Sequence, residues 1–443
     1  MNRRKVAVIG GGWAGMAAAE ALAGKTDVVL LEAGKVLGGR ARAVRQSHHD
    51  FSFIDNGQHM LLGAYHQCLG LLQRAGVDAQ AVLHRERMSW YQADGFRFQA
   101  ARWRSPWHLL VGIIKGRGAT VREKWQLLKH MRRLQVWHRG AVENGQDMTV
   151  AQWLESEQVA QKWQQQFWQP LVWGALNTAL REASLLRLGN VLQDGVWSTR
   201  ANSDMVLPKT DLGQSWVEPV AGLLRRKKVV VETARRVSAL SHAGEGHGVW
   251  VDDDYFDAVV LAVAPYHASQ LLPRNVPGDV SAALSSLAYH AITTVYLRYE
   301  QNVDLPATLT GLAHGKVQWF IGRGRLGGDN NEVTAVISLA DAPAHRDVDW
   351  AQVAHQELLN LCPLLSHPVA VRVITEKRAT VSCCANRQPI PQAWLRQHDI
   401  YLAGDYVHDR YPCTLEGAVQ SGQLAAAALL ADAGRPAMAF KRL

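Results

Sequence analysis

Apolar positions gather at three separated places along the chain, and each place has the rhythm of an α/β unit. Near the start, "RKVAVIG" is a β-branched run that stops at a glycine, "MAAAEALAG" is rich in strong helix formers, and "DVVLLEA" is a second apolar run. A strand, a turn, a helix and a strand are predicted in that order. In the middle, "KKVVVETARRVSAL" and "GVWVDDDYFDAVVLAVAP" predict a strand, a hairpin and a fully buried strand. Near the end, "DIYLAGDY" predicts a strand and turn, followed by a long alanine-rich helix opening around Thr414 to Glu416. Strands alternating with helices in this way predict a mainly parallel sheet with both faces covered.

The first turn reads Gly10-x-Gly12-x-x-Gly15. Gly10 permits the tight turn, Gly12 lets a pyrophosphate approach the backbone, and Gly15 lets the helix pack closely on the sheet, with the phosphate at the positive helix end. The second strand ends at Glu32, where an acid can accept hydrogen bonds from both hydroxyls of an adenosine ribose and repels a 2′-phosphate. Arg3, Arg4 and Lys5 ahead of an apolar run also fit the start of an export leader. The glycines and Glu20 interrupt that run, however, and cleavage would remove the phosphate site that Glu32 completes, so a cytoplasmic protein is expected.

Bulk composition narrows the class only a little. With 443 residues, 48% hydrophobic and 20% charged, the chain has the length for two domains and the makeup of a folded protein. Cys68, Cys362, Cys383, Cys384 and Cys413 form no C-x-x-C pair and no zinc spacing, so neither a disulfide framework nor a metal site is expected. No apolar run approaches the roughly 18 residues of a membrane span.

The net charge of +9 is local. Between His84 and Gly140 thirteen Lys or Arg face three acids, and eleven of the sixteen tryptophans fall between Trp90 and Trp216. Within this segment "RWRSPWHLLVGIIKGRG" has an apolar centre of eight residues, Trp107 to Ile114, between basic flanks. "REKWQLLKHMRRLQVW" adds a helix with Trp125, Leu128 and Met131 on one side. No nucleic-acid motif accompanies the charge, and the apolar centre favours peripheral contact with an anionic membrane surface over nucleic acid.

"LGGRAR", whose Gly38 stands six residues past Glu32, resembles the second signature of the flavoprotein superfamily that includes amine oxidases and phytoene desaturases. Gly38 and Gly39 would let the chain pass close to a flavin, and Arg40 or Arg42 could hold a phosphate or nearby carbonyls. The resemblance implies FAD as cofactor and an α/β fold: a Rossmann-like FAD-binding domain of the glutathione-reductase type with an inserted α+β substrate domain. It also implies a backbone contact to adenine near Val237, which is otherwise an ordinary core valine. Gly404-Asp405 would then lie at the ribityl or phosphate side, with the helix start at Leu415 and Glu416 facing N1 and O2 of the ring. The cofactor domain would comprise residues 1–75, 215–270 and 398–443. Residues 76–214 would form a mainly helical, basic, tryptophan-rich region, and 271–397 a substrate-domain sheet.

"FIDNGQHMLLGAYHQCLG", with Asp55, Asn56, Gly57, Gln58 and His59, resembles the hydroxysqualene dehydroxylases, as do "EKRATVSC" and "YPCTLEGAVQSG". Val381, where the family often carries Phe, and the pair Cys383-Cys384 depart from its pattern. The resemblance implies reduction of an allylic C30 isoprenoid alcohol to squalene in hopanoid biosynthesis, with squalene or phytoene synthase-like enzymes upstream. Gly57 and Gln58 would adjoin the cofactor. His59 is the candidate acid, or else a structural hydrogen-bonding group. Asp55 would orient it, or cap the following turn. A carotenoid-type polyene desaturase or isomerase shares the fold, the cofactor and a lipid substrate but can run hydride transfer toward the flavin, and glycine motifs alone also fit a flavin-binding membrane scaffold without turnover.

Overall fold

The computed structural model describes residues 3–45, 49–242 and 248–433. Residues 434–443, the tail of the third expected cofactor segment, lie outside the described residues.

Five strands form a parallel sheet in the order Ile400–Leu402, Ala258–Leu261, Lys5–Ile9, Asp27–Leu31, Val230–Glu232. Val6 pairs with Val28 on one side and Ala258 on the other, which puts the first strand at the centre. Both faces are covered at the centre of the sheet, and this is why its central strands are apolar at consecutive inner positions, Val6 to Ile9 and Val28 to Leu31, rather than alternating. Val6 and Val8 pack under the helices Trp13–Leu22 and Leu415–Asp432. Ala7 and Ile9 pack under a three-stranded antiparallel sheet, Leu240–His242, Val249–Val251 and Asp254–Phe256. The two helices touch through small side chains: a Cβ on Gly422 would stand 2.0 Å from the Ala14 carbonyl oxygen.

A second sheet of five antiparallel strands runs in the order Leu309–Thr310, Trp319–Gly322, Glu332–Ser338, Tyr289–Arg298, Ala370–Val381, with helix Trp350–Leu359 on one face. Between the first and second parts of the parallel sheet the chain builds a helical unit around Trp153, Trp163 and Trp168, each almost wholly buried. This stretch also contains short strands at Leu83–Glu86, Ser89–Tyr91, Arg97–Gln99 and Met205–Pro208, so it is less purely helical than its composition implies. Among the described residues no helix is long and apolar enough to cross a membrane.

Candidate cofactor and active site

The first glycine turn joins the central strand to helix Trp13–Leu22. Gly10 has φ +106°, a region that side chains with a Cβ avoid. A Cβ on Gly15 would lie 1.9 Å from the Gly10 carbonyl oxygen, so the helix touches the turn that precedes it. Gly12 is different: its Cβ would meet nothing closer than 3.9 Å, and that neighbour is the Gly39 Cα. The two glycine turns therefore lie side by side, joined by Gly38 N–H donating to the Gly11 carbonyl at 2.8 Å, with backbone-lined space above Gly12. Trp13 locks the arrangement. Its ring stacks on Trp216 with centroids 3.7 Å apart, and its indole N–H donates to the Ala41 carbonyl just past the second turn.

Glu32 stands at the end of the second strand. Its Oε2 accepts from the Gly11 amide and its Oε1 from the Gly34 amide, both at 2.6 Å. The loop that carries Val237 is tied to the same place, because Ala234 N–H donates to the Gly34 carbonyl and Arg235 N–H to the Glu32 carbonyl. Val237 itself is buried in the core.

At the other end of the turns, Arg40 Nη2 lies 2.7 Å from both oxygens of Asp405, and its Nη1 donates to the Ala379 carbonyl. Burial opposes the charge on Arg40, but the carboxylate outweighs it and holds the guanidinium protonated. Gly404 N–H donates to Ser421 Oγ inside the closing helix. That helix starts at Thr414, whose hydroxyl accepts from the Gly417 amide and leaves the amides of Leu415 and Glu416 at the outward-pointing first turn. The Glu416 side chain is committed elsewhere: its oxygens accept from the amides of Gln67 and Cys68, each at 3.0 Å, and so cap helix His66–Arg74.

His59 reaches this region on a loop pinned to the antiparallel sheet, with the Gln58 amide 3.3 Å from Thr294 Oγ1. Gly57 lies in the same turn, where an added Cβ would meet Thr294 Oγ1 at 3.8 Å. His59 Nδ1 sits 2.8 Å from the Gly57 carbonyl, which can only accept, so Nδ1 carries the proton and Nε2 the lone pair. Burial, opposed by the Gly57 hydrogen bond and reinforced by Arg40, pushes its pKa down to about 4. The imidazole is thus neutral at pH 7, where the sequence pointed to a group that changes protonation.

Asp55 does not orient His59. Its carboxylate accepts from the Leu212 amide at 2.8 Å, while its backbone pairs with the Tyr296 hydroxyl. Burial, with Asp211 adding to it, raises its pKa to about 8 despite the Leu212 bond and Arg323. Neighbouring Phe53 accepts from Arg323, whose guanidinium also lies over the Phe53 ring and 3.2 Å from Glu332. Both ionic side chains are wholly buried, and Glu332 also accepts from the Ser52 amide and hydroxyl. This clamp fixes the loop leading to His59, and no local motif announces it.

Arg40, His59, Tyr65 and Cys413 lie deep in the fold yet keep accessible surface, as side chains lining an interior cleft do. The Tyr406 hydroxyl nearby is buried with no partner among the described residues. A separate cleft of about 1170 Å³, bordered by His66, Leu69, Arg85 and Lys209, shares no wall with the glycine turns. On its wall Arg85 is paired with Asp204 at 3.0 Å, and Lys209 donates to the Gln80 carbonyl.

An acid at a strand end, two abutting glycine turns, an aspartate behind them and a helix start after it make the layout that an elongated dinucleotide carrying a ring system requires. With the family match below, the class is a flavin-dependent oxidoreductase and the cofactor is FAD. The family profile described as flavin-containing amine oxidoreductase matches residues 13–430, and the chain belongs to that family. It is similar to proteins named hydroxysqualene dehydroxylase from Rhodopseudomonas palustris, at 27% identity over 98% of this chain and 99% of the relative, and from Zymomonas mobilis, at 23% over 95% and 97%. Among solved structures the fold is shared with cyclohexylamine oxidase from Brevibacterium oxydans, with a TM-score of 0.70 at 16% identity, covering 98% of this chain and all of that one. It is shared too with putrescine oxidase bound to putrescine, with a TM-score of 0.71 at 17% identity, covering 97% and 99%.

Proposed function

We propose that the protein reduces hydroxysqualene to squalene in a squalene or hopanoid pathway. The observation that carries this reading is the near full-length likeness to proteins of that name, which extends the resemblance of the Asp55–His59 stretch. FAD, when bound and reduced, supplies a hydride. The chain must hold the ring, orient the alcohol, keep nucleophiles from an allylic cation and let the hydroxyl leave as water with a proton drawn from solvent, so that alcohol, hydride and proton give alkene and water.

Gly12 and Gly39 admit the pyrophosphate, Glu32 takes the ribose, and the outward amides of Leu415 and Glu416 favour negative charge on the reduced ring. His59, neutral and with a free Nε2 lone pair, orients the substrate by accepting its hydroxyl hydrogen bond; it does not deliver the proton at neutral pH. Trp90, Phe167 and Trp319 form an aromatic wall where the helical unit meets the antiparallel sheet, with centroids 5.0 Å apart for Trp90–Phe167 and 5.1 Å for Trp90–Trp319. Such π-faces stabilise a cation without attacking it.

In this reading residues 1–75, 215–270 and 398–443 hold the cofactor, and 76–214 with 271–397 hold the substrate. A substrate this insoluble places the protein on the cytoplasmic face of a membrane, beside the synthase-like enzymes that supply the alcohol. The test is production in a host that makes hydroxysqualene through the upstream synthase. Squalene should accumulate with the wild-type chain and to a lower level with Gly12→Ala, whereas hydroxysqualene persisting unchanged with a flavin-loaded wild-type chain would reject the assignment.

A further inference from the structure

Helix Trp107–Lys115 is apolar on both its faces apart from His108 and the terminal Lys115, yet only half of it is covered. Its inner face, His108, Leu109, Gly112 and Ile113, is buried against the helical unit. Its outer face carries Trp107, 54% exposed, and Ile114, 46% exposed, with Leu110 and Val111 half-buried between them. A helix with two apolar faces is stable where both are removed from water.

The surroundings extend this outer face rather than close it. His108 N–H donates to the Arg104 carbonyl and Ala101 N–H to the His108 carbonyl, which folds the preceding segment back on the helix start and presents Trp103 at 59% exposure. At the far end Lys124 Nζ donates to the Ile114 carbonyl at 2.8 Å, which brings up helix Val121–Asn144 with Val121 at 70% and Trp125 at 59% exposure. Arg102, Arg104, Lys115, Arg117 and Arg122 are exposed among these side chains, and the sequence has no acid from Ala101 to Arg122. Glu123, the first acid after them, is bonded to Lys162 and to its own helix cap.

We infer that Trp103, Trp107, Ile114, Val121 and Trp125 form a docking face that sits in the headgroup region of an anionic phospholipid bilayer, with the five cations on the phosphates. Tryptophan favours the membrane interface, where its ring is apolar and its N–H stays wet. An apolar patch ringed by basic residues lies in the interface plane. The nine-residue helix is about 13 Å long, and so lies on a leaflet without crossing it. The inference rests on the lipid-substrate reading only for its purpose; the face and its charge stand independently of the reaction.

The test uses the full-length flavin-loaded protein with vesicles of phosphatidylcholine containing phosphatidylglycerol, and with phosphatidylcholine alone. Wild type should float with the anionic vesicles at low salt and be released by high salt. A variant with Trp103→Ser, Trp107→Ser and Trp125→Ser should bind the anionic vesicles at least tenfold more weakly with its flavin spectrum unchanged. Lys115→Gln with Arg117→Gln should weaken binding about thirtyfold at low salt, as expected for two interfacial charges. Turnover of substrate dispersed in detergent should be the same in all three, which separates a failure of docking from a failure of the reaction. Wild type staying with the aqueous fraction in both lipids, or the tryptophan variant floating as well as wild type, would overturn the inference. Binding of duplex DNA with loss of vesicle binding would assign the patch to nucleic acid and overturn it equally.

Discussion

The Arg40 guanidinium and the Asp405 carboxylate, 365 positions apart in the chain, meet with one guanidinium nitrogen 2.7 Å from both carboxylate oxygens. This ion pair joins the second glycine turn to the loop before the closing helix, and so draws the two ends of the cofactor site together. Asp405→Asn should leave Arg40 without its counter-charge, lower stability by about 2 kcal/mol and raise the fraction of protein purified without flavin. Chemical denaturation with flavin absorbance on the same samples checks both; an unchanged flavin content would mean that the pair serves folding alone.

Gly12 and Gly15 predict opposite failures from the same substitution. Alanine at 15 meets the Gly10 carbonyl oxygen at 1.9 Å and should cost about 3 kcal/mol or more, giving insoluble or unfolded protein. Alanine at 12 has room within the protein, but in the proposed cofactor site it stands where the pyrophosphate would approach. Gly12→Ala should fold with a wild-type circular dichroism spectrum and bind FAD about tenfold or more weakly, as titration of the apoprotein would show.

Glu416 illustrates a residue near the cofactor whose side chain works elsewhere. Glu416→Ala strips the cap from helix His66–Arg74 and should cost about 1–2 kcal/mol. The backbone amides at the start of the closing helix remain, so flavin stoichiometry should hold while the thermal midpoint falls. Loss of flavin without loss of stability would reverse this assignment.

The histidines set the acid limit of stability. Burial holds His59 at about 4, below its ordinary 6.5, and lowers His108, His130, His242, His355 and His408 as well. As pH falls below about 6.5 the unfolded chain takes up protons that these six folded sites refuse; folded Asp55, raised to about 8, gains one proton ahead of the unfolded chain and offsets part of this, so stability should show a net decline toward pH 4. Urea midpoints at pH 7.5, 6.5 and 5.5 measure the slope, and a flat profile would contradict it. Turnover, by contrast, should show no ionisation of His59 between pH 6 and 8, and His59→Ala should retain flavin while losing most activity.

Much of the backbone of the candidate cofactor site, the glycine turns and the strand that ends at Glu32, was readable in sequence because its parts are local backbone requirements. A glycine turn between a strand and a helix, and an acid at the end of the next strand, need only short-range rules. Side chains that bind across long separations left no such trace: the Trp13–Trp216 stack, the Arg323–Glu332 clamp and the Glu416 cap each join distant segments. Helix Val121–Asn144 shows a second limit. Its sequence groups Trp125, Leu128 and Met131, yet its buried face is Leu127, His130, Leu134, His138 and Ala141, because two histidines are accepted into the core and Trp125 is turned outward. Hydrophobic patterning counts histidine as polar and so rotates the predicted face.

The most direct test of the central claim is anaerobic mixing of the photoreduced, flavin-loaded protein with hydroxysqualene in detergent, followed by visible absorbance and product extraction. The account predicts that the bleached flavin regains its yellow absorbance while squalene forms in equimolar amount. A flavin that stays reduced with hydroxysqualene, in a protein whose oxidised flavin is bleached by phytoene, would contradict it.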